Sequence, residues 1–205
     1  MGGHALDLAL EDPLFARVVS VGRRALDRAH PKLAQVTVDF TSIDHAALPD
    51  ATDAIACLGT TIKKAGSEAA FRAVDHDAVL AFAKAARAKG VRRFQVVTAL
   101  GADARSMMFY NRVKGEVEEA LRAVGFESLA IVRPSLLLGE RTERRTAERI
   151  GTALADTFAP LLKPFASRPI HARTVAQALI VIAHDPPAGA RVYESGELHE
   201  MTPKG

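Results

Sequence analysis

One cysteine, no tryptophan and two tyrosines stand among 205 residues, and aromatic residues make up only 5% of the chain. The lone Cys57 excludes an internal disulfide and a thiolate zinc site, and it leads to the expectation of a reducing, cytoplasmic location. Seven histidines without a spacing such as His-Glu-x-x-His give no reason to expect a metal. No apolar run approaches the length of a membrane span, and Met1 to Pro13 carry acids where a secretory leader carries bases. Charge of either sign is not concentrated: 27 Lys and Arg are interspersed with 24 Asp and Glu, for a net +3. That is neither a nucleic-acid footprint nor a membrane-surface patch. What remains is an ordinary soluble composition, 48% hydrophobic and 25% charged, long enough for one domain with a full core. The expected partner is a small-molecule substrate, with no nucleic acid and no membrane; self-association into a homo-oligomer stays open.

What is present is alternation. Residues 4–11 read as a short helix stopped at Asp12-Pro13. Apolar runs at 17–21, 35–39, 53–58, 92–98, 128–133 and 191–194 read as strands. Between and after them, 71–88, 107–124, 142–158 and 172–184 read as helices, the first two stopped at Gly90 and Gly125. Short strands alternating with amphipathic helices predict an α/β fold: a Rossmann-like doubly wound parallel sheet with helices on both faces. One such domain is expected over residues 1–205, with a small substrate-side portion from about residue 135. A dinucleotide fold opens on an apolar strand and a glycine-rich turn, whereas this sequence is already at the helix by Met1-Gly2-Gly3-His4. The first strand is therefore expected to be missing. The strands at 17–21 and 53–58 should then show unpaired edges, and the phosphate cradle should be reduced to Gly2 and Gly3, weakening dinucleotide binding by the chain as given.

In a sheet of this kind the ligand crevice lies beyond the carboxyl ends of the strands, where Arg23, Arg24, Asp39, Thr60, Thr61, Thr98 and Ser135 collect. An acid after the second strand of such a fold bonds a ribose 2′-hydroxyl. Arg23 and Arg24 instead favour a 2′-phosphate, unless they form a merely solvated turn. Asp39 and Phe40 are placed to contact adenine, and Gly59, Thr60 and Thr61 to line the ribose and nicotinamide. Tyr110 and Lys114, four residues apart, share a helix face. An ammonium beside a phenol stabilises phenolate and draws the tyrosine's pKa toward the range of acid–base work. Thr98, at the end of the preceding strand, could bond the same substrate oxygen. An exposed amphipathic helix can carry the same two residues without any chemistry, so their context decides. His171 is placed to cap the helix at 172–184 or to face the pocket, and Cys57 reads as a small core residue. Arg141, Arg144, Arg145 and Arg149, interleaved with Glu140, Glu143 and Glu148, read as a solvated, ion-paired face.

Several runs together carry a resemblance. They are Val21-Gly22-Arg23-Arg24, Cys57-Leu58-Gly59-Thr60-Thr61-Ile62-Lys63-Lys64-Ala65-Gly66-Ser67 and Phe71-Arg72-Ala73-Val74-Asp75. Ala99-Leu100-Gly101-Ala102-Asp103, Phe109-Tyr110-Asn111-Arg112-Val113-Lys114-Gly115-Glu116 and Arg133-Pro134-Ser135-Leu136-Leu137-Leu138-Gly139 complete them. The set resembles the atypical short-chain dehydrogenases, in particular the TIP30-like (HIV Tat-interactive protein 30-like) oxidoreductases and their bacterial nucleoside-diphosphate-sugar epimerase-like relatives. The resemblance implies an oxidoreductase using NADP, with NAD the other possibility, on a small carbonyl, alcohol or sugar nucleotide. A non-catalytic regulatory or protein-interaction module on the same fold is the alternative. It further implies Tyr110 as acid/base, Lys114 at the nicotinamide ribose, Arg23 and Arg24 at the 2′-phosphate, and cofactor contacts from Leu58, Gly59, Thr60, Pro134 and Ser135. Two departures accompany it. Of the family's glycine motif only the last glycine is present, matching Gly2, and the superfamily's catalytic hydroxyl position falls on Ala99.

Overall fold

The structure, a computed structural model, describes residues 1–138 and 168–202. Helix α1 (Gly2–Glu11) buries Ala5, Ala9 and Leu10 along one face. Strand β1 (Val18–Gly22) pairs in parallel with β2 (Leu33–Thr37), Val18 opposite Leu33. Then come β3 (Asp53–Ala56), β4 (Arg93–Val97), β5 (Ser128–Arg133), a short parallel pair of β6 (Leu137–Leu138) with β7 (Ile170–His171), and β8 (Gly189–Glu194). Strands β3, β4, β5 and β8 form a four-stranded sheet in that order, every pairing parallel. Among the described residues β1–β2 and β3–β4–β5–β8 are separate sheets, so β1 and β3 each present an open edge, the pair of edges expected from the sequence. The core follows. β1 is only half-buried along its length, whereas β5 is buried from Ser128 to Val132.

Side chains alternate across the larger sheet. Val97, Ala130 and Val132 pack on one side with residues of α1, of α6 (Ala172–His184) and of α7 (Ser195–Glu200). Phe94, Val96, Leu129 and Ile131 pack on the other with residues of α4 (Val79–Ala88) and α5 (Phe109–Arg122). Helices cover both faces, and the α/β doubly wound expectation is borne out.

Two boundaries moved for reasons that bear on the site. The strand expected at 35–39 lies at Leu33–Thr37, in register with β1, because the Asp39 carboxylate turns back to accept the Thr41 N–H (2.9 Å) and hydroxyl (2.8 Å). The helix expected at 71–88 is longer and composite. Thr61 caps α2 (Ile62–Ala65), Gly66 ends it at φ 88°, and Ser67 caps α3 (Glu68–Arg72). The chain then passes through a π-helical turn, Ala73–Ala78, into α4. Such a turn widens the helix and re-aims its side chains, often at functional sites. The helix expected at 142–158 and the arginine stripe at 141–149 lie outside the described residues. Among the described residues no helix is long and apolar enough to cross a membrane.

Candidate active site

The site is built where the first turns of α5 meet the π turn. Phe71, fully buried, supports both aromatic residues that open α5, its ring centroid 6.1 Å from Phe109 and 5.3 Å from Tyr110. One turn on, Lys114 points at the same segment, its Nζ 2.7 Å from Asp75 Oδ1. Both side chains are hidden, 5% and 1% exposed. The other oxygen, Asp75 Oδ2, accepts the Thr60 backbone N–H at 2.8 Å. A single carboxylate thus joins α5 to the loop beyond the carboxyl end of β3. An ion pair between Arg72 and Glu116 ties α3 to α5 nearby. Tyr110 and Lys114 are brought to one face of α5, as the spacing requires, and that face meets α3 and the π turn. Asp75 had no role in the sequence reading, although a signal existed. Phe71, Asp75 and Val79 are spaced by four and all buried, so an acid occupies the apolar stripe of its helix.

The electrostatics differ from the expectation. Burial, and after it the charge of Asp75, pushes the Tyr110 phenol up to about 12 rather than down. The physical reason is burial first, and then the partner of the lysine: the Lys114 ammonium is paired with Asp75, and the charge of that carboxylate disfavours the phenolate. Tyr110 in this state keeps its proton more tightly than a free phenol.

Thr98 is engaged elsewhere. Its hydroxyl, buried, donates to Glu118 Oε1 at 2.7 Å. The same carboxylate accepts from Arg133 Nε (2.9 Å) and Nη2 (2.6 Å), and Arg133 Nη1 continues to Glu194 (3.0 Å). Glu118 lies two helical turns beyond Tyr110, so the Thr98 hydroxyl is committed to this clamp rather than turned to a substrate oxygen. Ala99 offers no hydroxyl in its place. The loop after β4 is pinned to α5 at Gly115, where a Cβ would fall 2.0 Å from the Ala104 backbone nitrogen. Only glycine lets the two backbones approach this closely. The Asp103 N–H then bonds the Asn111 carbonyl at 3.0 Å.

The remaining expected contacts divide. Arg23 and Arg24 follow β1, exposed and without an ion pair among the described residues. Phe40 is buried edge-to-face on Phe82, 6.3 Å between centroids, and so is a core ring rather than an open adenine platform. Asp39 is occupied by Thr41, which holds its carboxyl below the usual range. Leu58 packs against the core cluster beneath α4, while Gly59 is exposed and Thr60 half-buried beside Asp75. Thr61 serves as a helix cap. Pro134 is buried and its carbonyl accepts the Leu100 N–H at 2.9 Å. The Ser135 hydroxyl donates to the Arg168 carbonyl and accepts from Ser195 at 3.0 Å. His171 precedes α6, but its side chain makes no capping bond. It lines a cavity of about 240 Å³ with His4, Arg173 and Gln177. Burial pushes the Cys57 thiol up to about 11, in keeping with a core residue.

These residues suit an anionic dinucleotide in part. A Cβ on Gly2 would sit 3.4 Å from the Cys57 Cβ, so a glycine brings the first turn of α1 close onto the end of β3. The N–H groups of Gly2, Gly3 and His4 precede the first helical bond, from Ala5 N–H to the Met1 carbonyl, and no side chain caps them. A family profile described as NAD(P)H-binding matches residues 1–186. The chain belongs to this NAD(P)H-binding family.

Relatives of this NAD(P)H-binding chain include the fmp52 protein, mitochondrial, of Emericella nidulans, 36% identical over 76% of this chain and 70% of that protein. The HTATIP2 protein of Rattus norvegicus is 39% identical over 66% of this chain and 57% of that protein, and it bears out the TIP30-like resemblance. FMP52, mitochondrial, of Eremothecium gossypii is 29% identical over 96% of this chain and 90% of its own length. The mitochondrial names overturn the cytoplasmic expectation. A lone cysteine speaks against disulfides but does not choose among reducing compartments. Among solved structures, MoeE5 in complex with UDP-glucuronic acid and NAD superposes with a TM-score of 0.71, at 17% identity, over 93% of this chain and 71% of its own. DesIV, a dTDP-glucose 4,6-dehydratase from Streptomyces venezuelae, gives 0.70 at 15% identity, over 94% and 71%. At such identities the likeness speaks for the fold.

Proposed function

We propose that this protein is an NADPH-dependent reductase of a small carbonyl compound. The observation that carries the reading is Tyr110, held protonated over Phe71, one turn from Lys114 at the carboxyl end of β3. When bound, NADPH would supply the hydride for the carbonyl carbon. Tyr110 gives its phenolic proton to the carbonyl oxygen as the C=O bond becomes C–OH, and the Lys114 ammonium offsets the phenolate left behind. Arg23 and Arg24, exposed beyond β1 and without an ion pair among the described residues, would hold the 2′-phosphate that distinguishes NADPH from NADH. The uncapped N–H groups of Gly2 and Gly3 in the first turn of α1 would hold the diphosphate.

The test is turnover of NADPH with a panel of small aldehydes and ketones. Tyr110→Phe abolishes it while leaving NADPH affinity in place; undiminished turnover in that variant refutes the assignment. Arg23→Ala with Arg24→Ala lowers the NADPH-to-NADH affinity ratio about tenfold or more, since a charge-assisted contact contributes about 1.5–3 kcal/mol. An unchanged ratio removes the arginines from the cofactor site. The hydroxyl-free Ala99 and the engaged Thr98 favour a second reading, a non-catalytic module that binds the dinucleotide. In that case NADPH raises the melting temperature with no substrate consumed.

A further inference from the structure

We propose that Asp75 is a positioning residue for the Tyr110–Lys114 pair, a buried carboxylate that holds the lysine to the loop after β3 and fixes the charge beside the tyrosine. Three observations carry it. Asp75 sits on a π turn, which aims it from the helix interior at α5. Its two oxygens divide between two elements of the site, Oδ1 to Lys114 Nζ and Oδ2 to the Thr60 N–H. The Lys114 contact is a close ion pair without the alignment of a hydrogen bond, so Oδ1 keeps no directed donor although it is fully buried. A lysine held by charge alone is a point charge that a competing group can draw away, unlike an arginine held by a planar fork. The neighbouring polar groups are already paired: Arg72 with Glu116, the His76 ring with Asp77, and Asp103 with Arg105. That leaves Asp75 as the charge that, after burial, raises the pKa of the phenol, with Lys114 as the cation paired to it.

The chain contains no tryptophan and only one other tyrosine, Tyr193, so in a Tyr193→Phe background the near-ultraviolet phenolate band reports Tyr110 alone. In that background the phenolate of the parent stays absent up to about pH 11. Asp75→Asn lowers the titration by about one pH unit or more, tenfold in the acid constant, with the far-ultraviolet circular dichroism unchanged. Lys114→Met, which leaves Asp75 unopposed, moves it the other way. A merely structural role would loosen the site and shift both variants in one direction, toward the free phenol. If Asp75→Asn does not fold, the double variant Asp75→Asn/Lys114→Met takes its place and titrates below Lys114→Met alone. A titration that Asp75→Asn leaves in place, or two single variants moving together, overturns the proposal. Its functional meaning rests on Tyr110 as proton donor. That reading fails separately, by turnover surviving Tyr110→Phe, whereas the titration needs neither substrate nor cofactor.

Discussion

Asp75 and Glu118 are each 1% exposed, and each pairs with a cation across an element boundary, yet they are built for different ends. Glu118 is held on both oxygens by the Arg133 fork and on one of them by the Thr98 hydroxyl, with Arg122 a further 3.8 Å away. Its hydrogen bonds come from rigid, directed donors, and it locks α5 to the ends of β4 and β5. Asp75 has one backbone N–H and one lysine, the latter unaligned. A fully satisfied buried carboxylate is a clamp, whereas one held by a flexible point charge can change partners. The difference separates a structural clamp in the second half of α5 from the opening turns, where the proposed chemistry lies.

Breaking the clamp should have the largest effect. Arg133→Met leaves Glu118 buried without its fork and is expected to cost about 3–5 kcal/mol in urea unfolding. Tyr110→Phe at neutral pH should cost far less; a loss as large as that of Arg133→Met would erase the contrast between the two halves of α5. At high pH the contrast sharpens. The unfolded chain ionises the phenol near 10.0 while the native state keeps its proton to about 12. The stability this group contributes is therefore complete below pH 10 and lost as pH rises toward 12, at about 1.4 kcal/mol per pH unit for this group. The slope difference between the parent and Tyr110→Phe over that window measures it, and identical slopes would contradict the assignment.

Thr98→Val tests the clamp more gently. It removes one hydrogen bond to a charged acceptor while Arg133 keeps both oxygens, at about 1.5 kcal/mol. NADPH affinity and Tyr110 titration should not move; a change in either would return Thr98 to the site. The smallest effect belongs to a third carboxylate, Asp12, paired at the surface with His184 at 2.9 Å. The bond from His184 holds its carboxyl below 3.8, so its contribution is present above that pH and fades as pH falls through the lowered value. Asp12→Asn should change stability at neutral pH by under about 1 kcal/mol, measured by thermal unfolding in low and high salt.

Much of the scaffold was legible because its signals are local. The apolar run at Ser128–Arg133 and the amphipathic period at Ala172–His184 became β5 and α6 with no change of boundary. The open edges of β1 and β3 among the described residues are the pair expected from the strand pattern. Tyr110 and Lys114 were readable as a pair because a helical spacing of four puts two residues on one face wherever the helix packs. Phe40 and Ser135 were less readable, since a position beyond a strand does not say whether a side chain turns to the crevice or into the core.

Sequence alone determined the order of strands and helices, their parallel arrangement and the stripe that carries Tyr110 and Lys114. These depend on periodicity within a dozen residues and on the handedness of the chain. Only the tertiary structure decided which charge each side chain meets. Asp75 and Lys114 are 39 positions apart and Glu118 and Arg133 are 15 apart, and no local pattern encodes either pairing. Because a pKa depends on burial and on the nearest charge in space, a phenol that the spacing alone predicted to be acidified is instead held protonated near 12.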